Sequence, residues 1–111
     1  MGMDEKDRQI ILELKRRLPR DMSIRIRKLI VYGSRARGEG REDSDLDLIA
    51  LVDEKTPSLE KILEDVVYNL MWDYDFKPIV SLKVMAEDRF QRAVDQDFAF
   101  YKSVAREGIS L

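Results

Sequence analysis

Apolar positions recur at helical spacing near the start of the chain. Ile10, Ile11, Leu14 and Leu18 share one side, with Glu13, Lys15, Arg16 and Arg17 on the other, and Pro19 closes the helix. Ile24-Arg25-Ile26-Arg27 alternates and runs into Leu29-Ile30-Val31-Tyr32, which predicts a strand over about 24–32. Leu46-Asp47-Leu48-Ile49-Ala50-Leu51-Val52 predicts a second strand, mostly buried. Thr56-Pro57 supplies an N-cap and a proline at the first helical position. From there Leu59, Ile62, Leu63, Val66, Leu70 and Tyr74 trace one face of a long helix. Pro78 interrupts the chain before a third strand, Ile79-Val80-Ser81-Leu82-Lys83-Val84. Phe90, Val94, Phe98, Tyr101 and Ala105 mark a last helical region, which Gly108 stops.

The order is α-β-(short α)-β-α-β-α. It predicts one domain over residues 1–111 of α/β (α+β) class: a small mixed sheet of three or more strands flanked by helices. At 111 residues the chain has room for one core, and 44% hydrophobic residues are enough to fill it. The 38% of charged residues nearly cancel, leaving a formal net charge of −2. That balance gives no global attraction to nucleic acid or to an anionic membrane. The basic stretch Arg16, Arg17, Arg20, Arg25, Arg27 and Lys28 therefore reads as a solvated polar face rather than a nucleic-acid patch. No apolar run is long enough for a membrane span, and the charged N-terminus is no signal peptide, so a soluble cytoplasmic domain is expected. There is no Cys and no His. Thiol nucleophiles, disulfides, thiolate metal sites and every His general base are excluded, and any metal must be held by oxygen: Mg²⁺, Mn²⁺ or Ca²⁺.

The candidate chemistry sits in one segment, Gly33-Ser34-Arg35-Ala36-Arg37-Gly38-Glu39-Gly40-Arg41-Glu42-Asp43-Ser44-Asp45-Leu46-Asp47-Leu48. Alternate residues of a strand share a face, so Asp45 and Asp47 point the same way while Leu46 and Leu48 enter the core. Two adjacent carboxylates repel, and a divalent cation that also bridges to phosphate relieves the conflict. Gly33-Ser34 follows the first strand directly, where a short helical turn through Arg35-Ala36-Arg37 offers backbone N–H donors to phosphate. The Ser34 hydroxyl adds one more donor. Arg35, Arg37 and Arg41 either grip phosphate or form a solvated loop, and of the three Arg37 is best suited as a phosphate ligand. One strand end offers anion donors and the next a carboxylate pair. Together they suit a metal-bound nucleoside triphosphate.

Gly33-Ser34 followed at this offset by Asp45-Leu46-Asp47 resembles the Gly-Ser…Asp-x-Asp signature of the polymerase-β-like nucleotidyltransferases. The fuller string, and the tail Tyr101-Lys102-Ser103-Val104-Ala105-Arg106-Glu107-Gly108-Ile109, is similar to their minimal nucleotidyltransferase (MNT) branch. The resemblance implies a nucleotidyltransferase-like fold, Gly33 and Ser34 on the β- and γ-phosphates, and Asp45 and Asp47 on Mg²⁺ (or Mn²⁺). It implies transfer of NMP, AMP from ATP above all, to an acceptor hydroxyl. It also implies a small helical HEPN-type partner that an MNT antitoxin neutralises, and it leaves open a homo-oligomer that brings the acceptor from a second copy. The family's third acidic residue, expected on the third strand, has no counterpart here. Ser81 stands as its occupant, with Asp75 the nearest carboxylate in sequence.

Overall fold

The computed structural model describes residues 2–39 and 44–111. Among them, helix α1 spans Glu5–Arg17, α2 Arg20–Ser23, strand β1 Ile26–Tyr32, β2 Leu46–Val52, α3 Pro57–Asp73, β3 Val80–Ala86, α4 Glu87–Asp95, α5 Ala99–Glu107 and β4 Ile109–Ser110. The strands form one mixed sheet in the order β3-β2-β1-β4. β2 runs antiparallel to β1 and parallel to β3, with α3 as the crossover, and β4 adds antiparallel to the other side of β1. The expected α/β class holds, and no helix among the described residues is long and apolar enough to cross a membrane.

Both faces of the sheet are covered, which is why β2 reads as an almost unbroken apolar run. Leu29, Val31, Leu46, Leu48, Ala50, Val52, Val80 and Val84 pack beneath α1 and α3, against Ile10, Ile11, Leu14, Leu59, Leu63, Val67 and Leu70. Ile30, Ile49 and Leu51 on the opposite face pack against Phe90 of α4 and Val104 of α5. α3 begins as the sequence predicts: the Thr56 hydroxyl accepts from the Leu59 N–H at 3.2 Å, with Pro57 in the first turn. Trp72 of α3 stays 58% exposed, edge-to-face with Phe76.

Four elements differ from the sequence reading. β1 starts at Ile26, because Arg20–Ser23 coils into a helical turn that Ile24 caps in αR geometry. The segment after Ser34 makes successive hydrogen-bonded turns in place of a helix, with Ala36 N–H donating to Gly33, Arg37 to Ser34 and Gly38 to Arg35. The last helical region is two helices. Asp97 at φ 65° ends α4, with Phe98 N–H donating to Ala93 and Asp97 N–H to Val94, a Schellman motif built on Asp in place of Gly. The fourth strand follows from Gly108: a Cβ there would lie 2.5 Å from Ile30 Cγ2 and from the Val104 carbonyl oxygen, so glycine lets the chain leave α5 flush against β1.

One buried ion pair fastens α1 to the sheet end. Arg35 donates through Nη1 to Asp7 Oδ1 and Oδ2 at 3.0 and 3.1 Å, and through Nε to the Ser44 carbonyl and hydroxyl at 2.9 and 3.2 Å. Asp7 is 2% and Arg35 9% exposed. Asp7→Ala leaves this guanidinium buried without its counter-charge. It is expected to destabilise the fold by about 3–5 kcal/mol, read as a lower urea midpoint; a shift under about 1 kcal/mol would mean that Arg35 reaches solvent when the pair is broken.

Candidate functional site

The topology brings the candidate residues to one edge of the sheet. Gly33 and Ser34 leave the C-terminal end of β1, Asp45 and Asp47 sit at the start of antiparallel β2, and parallel β3 starts beside them. A hydrogen bond from the Leu46 N–H to the Ile79 carbonyl, 2.8 Å, ties the start of β2 to the approach to β3. Tyr32, Asp47 and Ser81 form one row across β1, β2 and β3, and paired residues on neighbouring strands share a face. Ser81 thus stands directly beside Asp47, at the position the sequence reading gave it. Asp75 lies in the turn after α3 at φ 56°. Among the described residues no group of three or more His, Cys, Asp or Glu side chains could hold a metal.

Gly33 makes the close approach on which the arrangement turns. It adopts φ 79°, and a Cβ there would lie 2.9 Å from Asp47 Oδ2. Only a residue without a side chain allows the turn to lie against the carboxylate. Ser34 is half-buried, and neither its hydroxyl nor its N–H has a hydrogen-bond partner among the described residues. Asp45 is exposed and Asp47 half-buried, while Leu46 and Leu48 are buried, as the alternation predicts. Neither carboxylate accepts a hydrogen bond or forms a salt bridge among the described residues. Burial and the Asp45 charge push the Asp47 carboxyl above the usual carboxylate range, against a downward pull from Lys83.

The three arginines part ways. Arg35 is corrected from a candidate phosphate ligand to a structural cation, because its Nε and Nη1 are bonded to Ser44 and Asp7 and the side chain is buried. Arg37 is exposed, paired with Glu39 at 3.2 Å and with Glu107 of α5 at 3.4 Å, which places it at the same edge as Ser34. Arg41 lies outside the described residues, as do Gly40, Glu42 and Asp43. Sequence reasoning set Lys83 on the face of Ser81 but gave no role to it or to Tyr32, both of which share the Asp47 face. The signal was available in the residue type at Tyr32, the last strand position before Gly33, and in the period-two alternation Ser81-Lys83. Arg16 and Arg17 are held by Glu13, and Arg25 by Asp53, while Arg20, Arg27 and Lys28 of the same stretch are exposed.

A family comparison meets this geometry. The nucleotidyltransferase domain family matches residues 7–102. The chain belongs to that family. The domain is 33% identical, over 69% of its own length and 81% of the relative's, to a Methanocaldococcus jannaschii protein named "Putative protein adenylyltransferase". It is 29% identical, over 76% of each chain, to a second protein of the same name and organism. No solved structure matches. The family assignment supports the reading of the chain as a minimal nucleotidyltransferase domain, with Gly33-Ser34 and Asp45-Leu46-Asp47 at the one edge where three strand ends meet.

Asp47 is held in this nucleotidyltransferase domain at a cost to the apo fold. A carboxyl raised in the native state binds its proton more tightly there than in the unfolded chain. The contribution of Asp47 to native stability is therefore greatest below the ordinary Asp value of 3.8 and is lost as pH rises through the raised native value. Asp47→Asn is expected to raise the apo Tm at pH 7, with the gain disappearing below about pH 3.8. An equal or lower Tm at pH 7 would contradict the burial argument.

Proposed function

We propose that this domain is a divalent-cation-dependent nucleotidyltransferase that transfers AMP from ATP to a hydroxyl on a protein. The acceptor is carried by a small helical partner of HEPN type, which the domain restrains as a cytoplasmic antitoxin. The carrying observation is the Gly33–Asp47 approach, which sets the Gly33-Ser34 turn directly against a carboxylate pair that forms no salt bridge among the described residues. Mg²⁺ fits the donor set: two oxygen-only side chains on one face, unpartnered, one of them strained toward its neutral form. Asp45 and Asp47 would hold Mg²⁺ or Mn²⁺, which would supply positive charge against the charge that builds in transfer.

The chain's own residues do the rest. The Ser34 hydroxyl and N–H receive the β- and γ-phosphate oxygens, and Gly33 lets the triphosphate lie close to the backbone. Arg37 can exchange its exposed pairing with Glu39 and Glu107 for a phosphate, since such surface pairs are worth little. The acceptor oxygen bonds to the α-phosphorus, the bond to the β-phosphate bridging oxygen breaks, and pyrophosphate leaves with its electron pair. The hydroxyl proton passes to a carboxylate or to water. The protein acceptor and the adenylyl group are supported by the names of the two archaeal relatives.

A second reading is favoured by Ser81. A hydroxyl stands beside Asp47 where a third carboxylate would complete the set, so the domain can bind nucleotide and partner while transferring slowly. Two measurements separate the readings. With labelled ATP and Mg²⁺, label is expected on the helical partner, and the Asp45→Asn, Asp47→Asn double variant is expected to lose ATP binding in calorimetry; undiminished binding by that variant would remove the metal site. The loss of a general base costs roughly 10²–10⁴-fold in rate. Ser81→Asp is therefore expected to speed transfer with little change in ATP affinity. A fast wild-type enzyme that Ser81→Asp slows would mean that the set is already complete.

A further inference from the structure

Beside the carboxylate pair the fold assembles an aromatic wall that nucleotidyl transfer, as described so far, does not use. Tyr32, the residue before Gly33, stands edge-to-face with Phe100 of α5 at 5.5 Å between ring centres. Phe100 in turn meets Tyr101 at 5.1 Å, and Tyr101 meets the buried Phe90 at 5.9 Å. The wall is thus braced from the core outward, yet Phe100 itself is 44% exposed. Phe100 is thus the accessible end of a packed aromatic row.

Its position says which ligand. Tyr32 pairs with Asp47 across the sheet, and burial together with the Asp47 charge raises its hydroxyl pKa, so the wall flanks the carboxylates. The next row along the same face is Ile30, Ile49 and Lys83. Ile49, Lys83, Met85 and Tyr101 line a cavity of about 290 Å³. Lys83 is exposed and forms no salt bridge among the described residues. Strands lie about 4.8 Å apart and alternate residues about 6.7 Å, so Asp47 and the Ile49–Lys83 row at the cavity mouth fall within roughly 10 Å of each other. An exposed aromatic ring beside the carboxylate row, with a donor-only cation on the next row of the same sheet face, suits a nucleobase with ring acceptors. The other exposed aromatic group, Tyr68, Trp72 and Phe76, lies at the end of α3 on the far side of the sheet and has no such neighbours.

We propose that Phe100, backed by Tyr32 and Tyr101, is the platform on which the base of the bound nucleotide stacks, with Lys83 at its edge. The inference rests on the nucleotide-site reading above and adds to it the subsite for the base. Base–aromatic stacking is sequence-tolerant, so the platform fixes the nucleoside in place more than it selects one base.

The test compares two ligands on the full chain. Mg-ATP and Mg-tripolyphosphate are titrated into wild type, Phe100→Ala and Phe100→Tyr, with circular dichroism to verify that each is folded. Phe100→Ala is expected to weaken ATP by about 5- to 100-fold and to leave tripolyphosphate unchanged, while Phe100→Tyr keeps ATP affinity. The triphosphate of 2-aminopurine riboside should lose fluorescence on binding wild type and keep it on binding Phe100→Ala. Unchanged ATP affinity in Phe100→Ala overturns the platform while leaving the phosphate site standing; so does an equal loss for both ligands, or a weakened acceptor with ATP unaffected. Failure of wild type to bind either ligand removes the nucleotide site and the platform with it.

Discussion

The ion pair between Asp7 and Arg35 is the constraint on which the site depends. Gly33 leaves the end of β1 and Ser44 leads into β2 at the same end of the sheet, and neither stretch offers much apolar surface to hold it down. Arg35 solves this from below. Its guanidinium is drawn into the core by an aspartate on the first turn of α1, and its Nε holds Ser44 three residues before Asp47. One side chain therefore fixes α1, the turn after Ser34 and the approach to β2 relative to one another. A buried pair of this kind adds little net stability against an apolar replacement, but removing one partner is expensive. Its contribution is to hold one arrangement of the two halves of the site.

The two faces of the sheet divide the work. The face beneath α1 and α3 is apolar from end to end, and it supplies most of the hydrophobic core. The opposite face is apolar only over its middle rows, where Ile30, Ile49 and Leu51 meet α4 and α5. Its outermost rows carry Asp45, Asp47, Tyr32 and Ser81. The same strand β2 thus serves both purposes, and the period-two geometry keeps them apart: moving the register by one residue would send Asp47 into the core and Leu48 to the site. The break between α4 and α5 matters here. A continuous helix would run straight, whereas the turn at Asp97 folds α5 back over β1, where Phe100 meets Tyr32 and Glu107 meets Arg37.

The parts legible in the sequence are those in which a local signal and the tertiary structure agree. The β2 run, the Thr56-Pro57 helix start and the Gly33-Ser34 to Asp45-Asp47 offset each carry their own physical reason, and each is met in the fold. What was not legible depends on distant partners. Arg35 looks like any cation in a glycine-rich segment, and nothing local announces that Asp7, 28 residues earlier, will bury it. Ile24 imitates strand alternation, yet the chain spends it on a helical turn and leaves it 76% exposed. Asp97 ends α4 in a conformation usually signalled by Gly or Asn, so the helix appeared to continue to Gly108. β4 is two residues long and exists because Gly108 can lie against Ile30, a contact between segments far apart in sequence.

The stability of the domain and the cation binding proposed for it are two views of the same electrostatics. Asp47 is half-buried, stands beside Asp45 and has only Lys83 to offset the repulsion. Gly33 lies close against Asp47, and among the described residues no group donates a hydrogen bond to that carboxylate. Each feature raises the free energy of the ionised site before anything binds. A cation that satisfies both carboxylates recovers this energy, and an occupant that binds only the native state stabilises the fold as RT ln(1 + [L]/Kd). The strain is confined to one sheet edge, because Arg35 is already neutralised by Asp7 and cannot swing out to do the cation's work. Had Arg35 been free, it could have paired with the carboxylates and closed the site. Its burial keeps the Asp45–Asp47 pair open to a ligand.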